Sequence, residues 1–228
     1  MKRPLTSNCR SFLLAMAVLS SLPLGAQDES GDELVNKLKG RAGTSGGIAT
    51  RGGRTRSFNG STAASETRSI KMPGRGVPSA VSAAAEEDKV EIKPTAKGGE
   101  EVELSYKVDP ESKVARDNIL FRKGSADFAD DASVEVVVTL AEALKHPDLQ
   151  GLQFVIEGHA SAEGDASANR NLSQLRAEQI VSVLASLGVA EDRLVPVGFG
   201  ESQARFPETS PEALLKKDRR VLIFRLDR

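Results

Sequence analysis

The stretch that decides the fold is G-H-A-S-A-E-G-D-A-S-A-N-R-N-L-S-Q-L-R-A, residues 158–177. It leaves an apolar strand, Phe154 to Glu157, crosses a small polar loop and enters an amphipathic segment. Leu172 to Leu187 is expected as a helix, stopped by Gly188. With Leu172 at zero and about 100° per residue, Val183, Leu187 and Ile180 fall at about 20°, 60° and 80°, and Arg176 at about 40°. An arginine thus stands inside the apolar stripe. A guanidinium cannot shed its charge, so if the stripe is buried it needs an anionic partner. That partner is either a carboxylate of this chain or one brought by a ligand.

The elements around this stretch extend the pattern. Val102, Leu104, Tyr106 and Val108 alternate with polar residues, as in a half-buried strand, and Asn118 to Phe121 reads as a second, short strand. A helix is expected from Asp130, with Asp131 or Ser133 as cap and Leu140, Ala141 and Leu144 repeating, although the valines at 134 and 136–138 prefer strands. His146-Pro147 ends it. Leu194 to Val197 is a strand, Ser210-Pro211-Glu212 opens a short helix, and Val221 to Leu226 is a strand apolar on both faces. The expected class is an α/β (α+β) sandwich of βαβαβ type, with helices packed on one face of a mixed sheet, over residues 101–228.

Ahead of it, Lys2, Arg3 and Arg10 precede an uncharged run from Ser11 to Leu24, followed by Gly25 and Ala26. This has the form of a cleaved secretory signal, residues 1–26. The run is shorter than the roughly 20 residues that span a bilayer. Residues 27–100 are rich in Gly, Ser, Thr and Ala, and are expected to be a low-complexity, disordered linker. A short helix over 28–39 is the one local element considered there. Lys37 to Arg75 carries nine basic residues against one acid, Glu66. Such a strip either lies weakly on anionic lipid or envelope polyanions or is a solvated tether. Phe58 stands alone in it, without the aromatic interleaving of a nucleic-acid surface.

The net charge of −1 and the absence of Trp argue against a polycation or an aromatic-girdled barrel. The single Cys9 lies before the apolar run, so a mature chain has no thiol, and His146 and His159 are too few and isolated for a metal cluster. No cofactor or metal is expected.

From about Arg116 to Arg228 the chain resembles the OmpA-like C-terminal domain family, which includes OmpA, Pal and MotB. The resemblance is carried by I-L-F-R-K-G-S-A-D-F at 119–128, F-V-I-E-G-H-A-S-A-E-G at 154–164 and N-R-N-L-S-Q-L-R-A at 169–177. L-G-V-A-E-D-R-L at 187–194, V-G-F-G-E-S at 197–202 and D-R-R-V-L-I at 218–223 follow in order. It implies a non-catalytic periplasmic domain, associated with the outer membrane and cell wall, that grips peptidoglycan without a covalent bond. In the family a G-H-T-D loop and an N-x-x-L-S-x-x-R-A helix hold the diaminopimelate of the stem peptide. The aspartate faces its ammonium and the arginine pairs with its carboxylate. Mapped onto this chain the arginine is Arg176 and the asparagine Asn169.

The aspartate position is Ser161 here, and Asp218 replaces the usual asparagine before Arg219-Arg220. A hydroxyl supplies one acceptor but no Coulomb attraction; losing such a charge-assisted bond costs about 1.5–3 kcal/mol. Glu163, inside the turn, is the favoured acidic replacement, with Asp165 the other, and Arg219 or Arg220 is expected to border the pocket, at least one of them being strand-end surface charge. His159, on the strand face of Val155 and Glu157, reads as a structural hydrogen-bonder. Three functions follow. The first is a peptidoglycan-binding module tethering the envelope or a partner protein to the wall. The second is the same fold with weakened or lost wall binding, acting as a protein-interaction scaffold with Arg176 neutralised by Asp165 or Asp218. The third, a hydrolase using Ser161 and His159, lacks an identifiable oxyanion hole.

Overall fold

A computed structural model describes residues 30–40, 65–73, 90–94 and 101–227. The expected signal segment, Cys9 and most of the expected linker lie outside the described residues. Seven strands are described: β1 (Glu66–Pro73), β2 (Val90–Pro94), β3 (Glu101–Val108), β4 (Val114–Arg116), β5 (Phe154–His159), β6 (Leu194–Gly200) and β7 (Val221–Arg225). Four helices accompany them: α1 (Gly31–Lys39), α2 (Asp131–Leu144), α3 (Ala166–Ser186) and α4 (Glu212–Leu215).

The central layer is a mixed sheet in the order β4-β7-β5-β6, with β5 and β6 parallel and the other pairs antiparallel. Side chains alternate across it, as the pleat requires. On one face Phe154, Ile156, Leu194, Val221 and Ile223 join the core formed with α1, α2 and α3. On the other face Val155, Val195, Val197, Phe199, Leu222 and Phe224 pack against Ile70, Leu104, Tyr106 and Val108. Those last residues belong to a second, antiparallel sheet of order β1-β3-β2. The helices do lie on one face of a mixed sheet, as expected. The apolar character of Val221 to Leu226 on both faces is explained by the second sheet.

Inside residues 27–100 the short helix considered over 28–39 is present as α1, and the linker expectation is corrected at β1 and β2. Helix α1 forms because Ser30 caps it by accepting from Glu33 N, with Asp32 and Glu33 in its first turn and Lys37 and Lys39 in its last. Its Leu34, Val35 and Leu38 are buried. A side chain on Gly40 would meet Asp109 Oδ2 at 2.3 Å, so only glycine lets this helix end close against the domain. Arg225 Nη1 then donates to Lys39 O, and Nη2 to Asp109 Oδ2 at 2.7 Å. Composition concealed the two strands, since few large apolar residues suffice when a preformed core supplies the rest of the contact.

The expected strand at 118–121 is also corrected. Only an isolated bridge, Phe121 to Phe128, is present, and the edge strand lies earlier, at β4. Leu120 N donates to Ser133 Oγ at 2.9 Å, and Ala129 N to Leu120 O at 2.9 Å, so this backbone bonds to α2 and to itself rather than to a ladder. Helix α2 forms despite its valines, because Asp130 caps it and Val137, Leu140, Ala141 and Leu144 are buried.

Helix α3 begins at Ala166, earlier than the periodicity indicated, because Asp165 caps it and accepts from Ala168 N at 2.8 Å. Its buried residues are Ser173, Arg176, Ala177, Ile180, Val181 and Leu184. The inward face is thus turned by roughly 80° from the Leu172–Val183–Leu187 stripe, leaving Arg176 at its edge. Gly158 and Gly198 cause the turn. A Cβ at Gly158 would lie 2.3 Å from Ser173 O, and one at Gly198 would lie 2.3 Å from Gln174 N. The helix backbone therefore rests directly on the sheet around Ser173.

Candidate functional site

The C-terminal end of β5, the start of β7 with the residues just before it, the middle of α3 and the 119–129 segment converge on a cleft of about 200 Å³. Arg176, Lys216, Arg219 and Arg220 line it with Phe121 and His159, and no carboxylate does. Arg176 is 8% exposed. Its Nε donates to Ser125 O at 3.1 Å and its Nη2 to Arg122 O at 3.4 Å, while the guanidinium lies 5.0 Å over the Phe121 ring. Among the described residues it forms no ion pair. Burial, and then the charge of Arg219, lower its pKa from the usual arginine value. The site therefore holds a cation in a fixed pose without supplying its anion.

Neither internal anion considered from the sequence reaches it. Asp165 is the cap of α3, bonded to Ala168 N and Ser167 Oγ. Asp218, fully buried, accepts from Arg205 N and Phe206 N at 2.9 Å each, from Arg205 Nε at 3.1 Å and from Arg220 Nη1 at 3.3 Å. Burial raises its pKa, but these donors outweigh that and hold it below the usual range. Asp218 thus anchors the 205–206 loop, and with it Arg220.

Ser161 and Glu163 are joined to the cleft through Arg219. Ser161 Oγ donates to Glu163 Oε2 at 2.9 Å, and Arg219 Nη1 donates to the same oxygen at 3.1 Å and to Ser161 Oγ at 3.5 Å. Arg219 Nη2 donates to Glu212. Glu163 therefore brings a carboxylate beside the position where the family has its aspartate. Asn169 holds the loop from below: its Nδ2 donates to Glu163 O at 2.8 Å, Ser161 O at 3.3 Å and Glu201 Oε2 at 2.7 Å. Asn169 and Ser161 support the site, while Arg176 and Arg219 line it. No hydrogen bond joins Ser161 Oγ to His159; the imidazole Nε2 lies 3.2 Å from Glu157 Oε2 instead.

Sequence reasoning gave no site role to Lys216 or Phe121, nor to the two carbonyls that orient Arg176, whereas both arginines it offered for the pocket border, Arg219 and Arg220, line the cleft. Motif 119–128 contained the signal, since an aromatic followed by a turn is the kind of element that cradles a guanidinium. Linear spacing could not show which helix faced it. Among the described residues no group of three or more His, Cys, Asp or Glu converges as a metal site, and no helix is long and apolar enough to cross a membrane.

The layers define a mixed α/β domain with a cleft lined by four cationic side chains and no carboxylate. Residues 120–217 match the model of the OmpA family. Outer membrane porin F of Pseudomonas fluorescens is 38% identical over 66 residues, 29% of this chain and 20% of that protein. The chain thus spans about a fifth of the length of that relative. The periplasmic domain of Helicobacter pylori MotB is 22% identical over 50% of this chain and 73% of its own, with a TM-score of 0.42. The peptidoglycan-associated lipoprotein of Burkholderia pseudomallei is 24% identical over 52% and 94%, with a TM-score of 0.41. The cell wall anchor of the type VI secretion system of Pseudomonas aeruginosa is 20% identical over 65% and 95%, with a TM-score of 0.43.

Proposed function

We propose that this chain is a non-catalytic envelope protein that binds the diaminopimelate of the peptidoglycan stem peptide. The observation that carries the reading is Arg176, a buried guanidinium fixed by two carbonyls and one ring and lacking any carboxylate among the described residues. A ligand carboxylate would complete it in a site where solvent screens little. Glu163, held by Ser161 and Arg219, takes the ligand ammonium in place of the missing aspartate. Its side chain is 43% exposed, open enough to accept a second partner. Asn169 positions the loop, and Arg219 sets the distance between the acidic and basic halves of the clamp.

In this reading residues 1–26 direct export, the chain acts in the periplasm at the outer membrane and wall, and segments between the ordered N-terminal elements serve as tether. The basic strip touches anionic lipid or other envelope polyanions at most weakly, and other envelope proteins are further partners.

Purified sacculi test this directly. The wild-type protein is expected in the pellet and Arg176→Ala in the supernatant, folded by circular dichroism. Glu163→Gln should lose about tenfold or more in affinity, as expected for removing a charge-assisted bond. Wild-type protein left in the supernatant, with Arg176→Ala merely unfolded, would overturn the wall-binding reading in favour of the scaffold reading that Ser161 supports.

A further inference from the structure

We infer that Arg68, on strand β1 and outside the family-matched segment, is a positioning residue for the cleft, acting on the 159–163 loop through Glu157 and His159. For the nature of the ligand this rests on the wall-binding reading; for the positioning it rests on geometry alone. Arg68 Nε donates to Glu157 Oε1 at 2.5 Å and Nη2 to Oε2 at 2.7 Å, a two-pronged contact across the interface of the two sheets. Arg68 is 9% exposed and Glu157 fully buried. Tyr106 Oη adds a bond to Oε1 at 2.6 Å, and His159 Nε2 faces Oε2 at 3.2 Å.

This carboxylate fixes the imidazole. With Glu157 ionised, a neutral His159 carries its proton on Nε2. The ring stacks on Phe199 at 5.1 Å, and the Arg68 guanidinium lies 5.3 Å from the centroid of that same phenyl. The ring thus has a fixed partner at its edge and another on its face.

His159 is also the residue from which the binding loop departs. Its N donates to Arg220 O at 3.0 Å, Ala160 N donates to Gly200 O at 2.8 Å, and Ser161 follows. A second route runs through Gln203: Arg68 Nη2 donates to its Oε1 at 2.8 Å, and Arg220 Nη2 to its O at 3.4 Å. Both routes end on cleft residues, His159 and Arg220.

The charge arrangement makes the coupling measurable. The groups facing Glu157 and His159 are Arg68 with Glu66 from β1, Tyr106 from β3 and Arg220 ahead of β7. Burial, together with the charges of Arg220 and Arg68, outweighs Glu157 and keeps the His159 pKa below the usual histidine value. Without Arg68 the buried carboxylate loses its bidentate cation, and the imidazole takes up a proton to replace it. A charged His159 then stands beside Arg220 at the base of the loop.

The test uses the full chain and its Arg68→Met and Arg68→Lys variants. Imidazole nitrogen NMR follows His159, one of only two histidines. A soluble disaccharide–tetrapeptide containing diaminopimelate reports affinity from about pH 5.5 to 8, the window of histidine titration. Wild-type His159 should titrate below the ordinary histidine value. In Arg68→Met its midpoint should move upward, with backbone amide shifts at 161–164 moving in step. Affinity should then fall about tenfold at the acid end, the size expected of an outer-shell partner. Arg68→Lys, which keeps the charge and loses the fork, should give the same changes at smaller amplitude, and it decides the matter if Arg68→Met does not fold. Titration and loop shifts identical to wild type in the folded variants overturn the inference. Wild-type protein that fails to bind the muropeptide overturns the wall-binding reading instead, and the NMR measurements still decide the role of Arg68.

Discussion

Gln174 on α3 seals the outer edge of strand β6 at Gly198. Its Oε1 accepts from Gly198 N at 2.6 Å, and its Nε2 donates to Pro196 O at 3.2 Å. One carboxamide thus satisfies the edge strand as a neighbouring strand would, leaving nothing there for another chain to pair with. The contact requires that Gly198 have no side chain, since a Cβ would lie 2.3 Å from Gln174 N and 2.6 Å from its Cα.

Gly198→Ala is therefore expected to destabilise the protein by about 3 kcal/mol, because backbone rather than a flexible side-chain end stands in the way. Urea unfolding measures it. Gly31→Ala is the control: a Cβ there has nothing within 4 Å, and the change favours helix by up to about 1 kcal/mol. Equal stability of Gly198→Ala and wild type would show that the helix does not lie on the sheet in this way.

Ordered segments ahead of residue 101 should prove integral to the domain. Leu38 is fully buried in the core shared with α2. Leu38→Ala should cost about 2–5 kcal/mol, the range for a buried leucine that leaves a cavity. A fragment of residues 101–228, lacking α1, β1 and β2, should melt at lower temperature than the full chain and bind a hydrophobic dye. A fragment as stable as the full chain would place those elements outside the folded unit.

Strand-and-helix order from β5 to β7 was legible because each element there carries its own periodicity and its own stop signal, such as Gly188. Arg176 was legible as an anomaly for the same reason. The rotation of α3 was not, because it depends on Gly158 and Gly198, whose missing side chains matter only once a helix is laid over them. Helix α1 was visible as a short helix over 28–39, but strand β1 was hidden by composition: Arg68 and Glu157 lie 89 residues apart, and neither alone signals a buried pair. Asp165 and Asp218 were legible as acids near the site, but only the backbone donors around them showed that they were already committed.

Acid should destabilise the fold in two stages. Burial lowers the His159 pKa, so the unfolded chain binds more protons than the native one below the ordinary histidine value. Stability from this source is complete above about pH 6.5 and is lost as pH falls through the folded value. For Glu157, burial raises the pKa, but the bonds from His159, Arg68 and Tyr106 and the charge of Arg68 outweigh it and hold it low. Its contribution is present above about pH 4.3 and disappears as pH falls through its depressed value. The free energy of unfolding, measured in urea from about pH 3 to 8, should rise through both windows and level off near neutrality. His159→Gln should flatten the upper window and leave the lower one. A stability maximum below about pH 5 would contradict both signs.

Arg176 should show a conflict between stability and binding. Its burial lowers the pKa of a group that has no carboxylate beside it, so the folded protein carries a desolvated cation whose compensation is two carbonyls and a ring. Arg176→Met keeps the length and the contact with Phe121 and removes the charge, at the cost of leaving Ser125 O and Arg122 O without this donor. A net bond of about 1 kcal/mol each is lost, against an ion desolvation penalty of several kcal/mol. The variant is expected to match or exceed wild-type stability in urea while losing sacculus binding altogether. Arg176→Lys should also bind poorly, because an ammonium cannot span both oxygens of a carboxylate. If Arg176→Met unfolds several kcal/mol more easily than wild type, the arginine is a structural strut and the clamp reading loses its support.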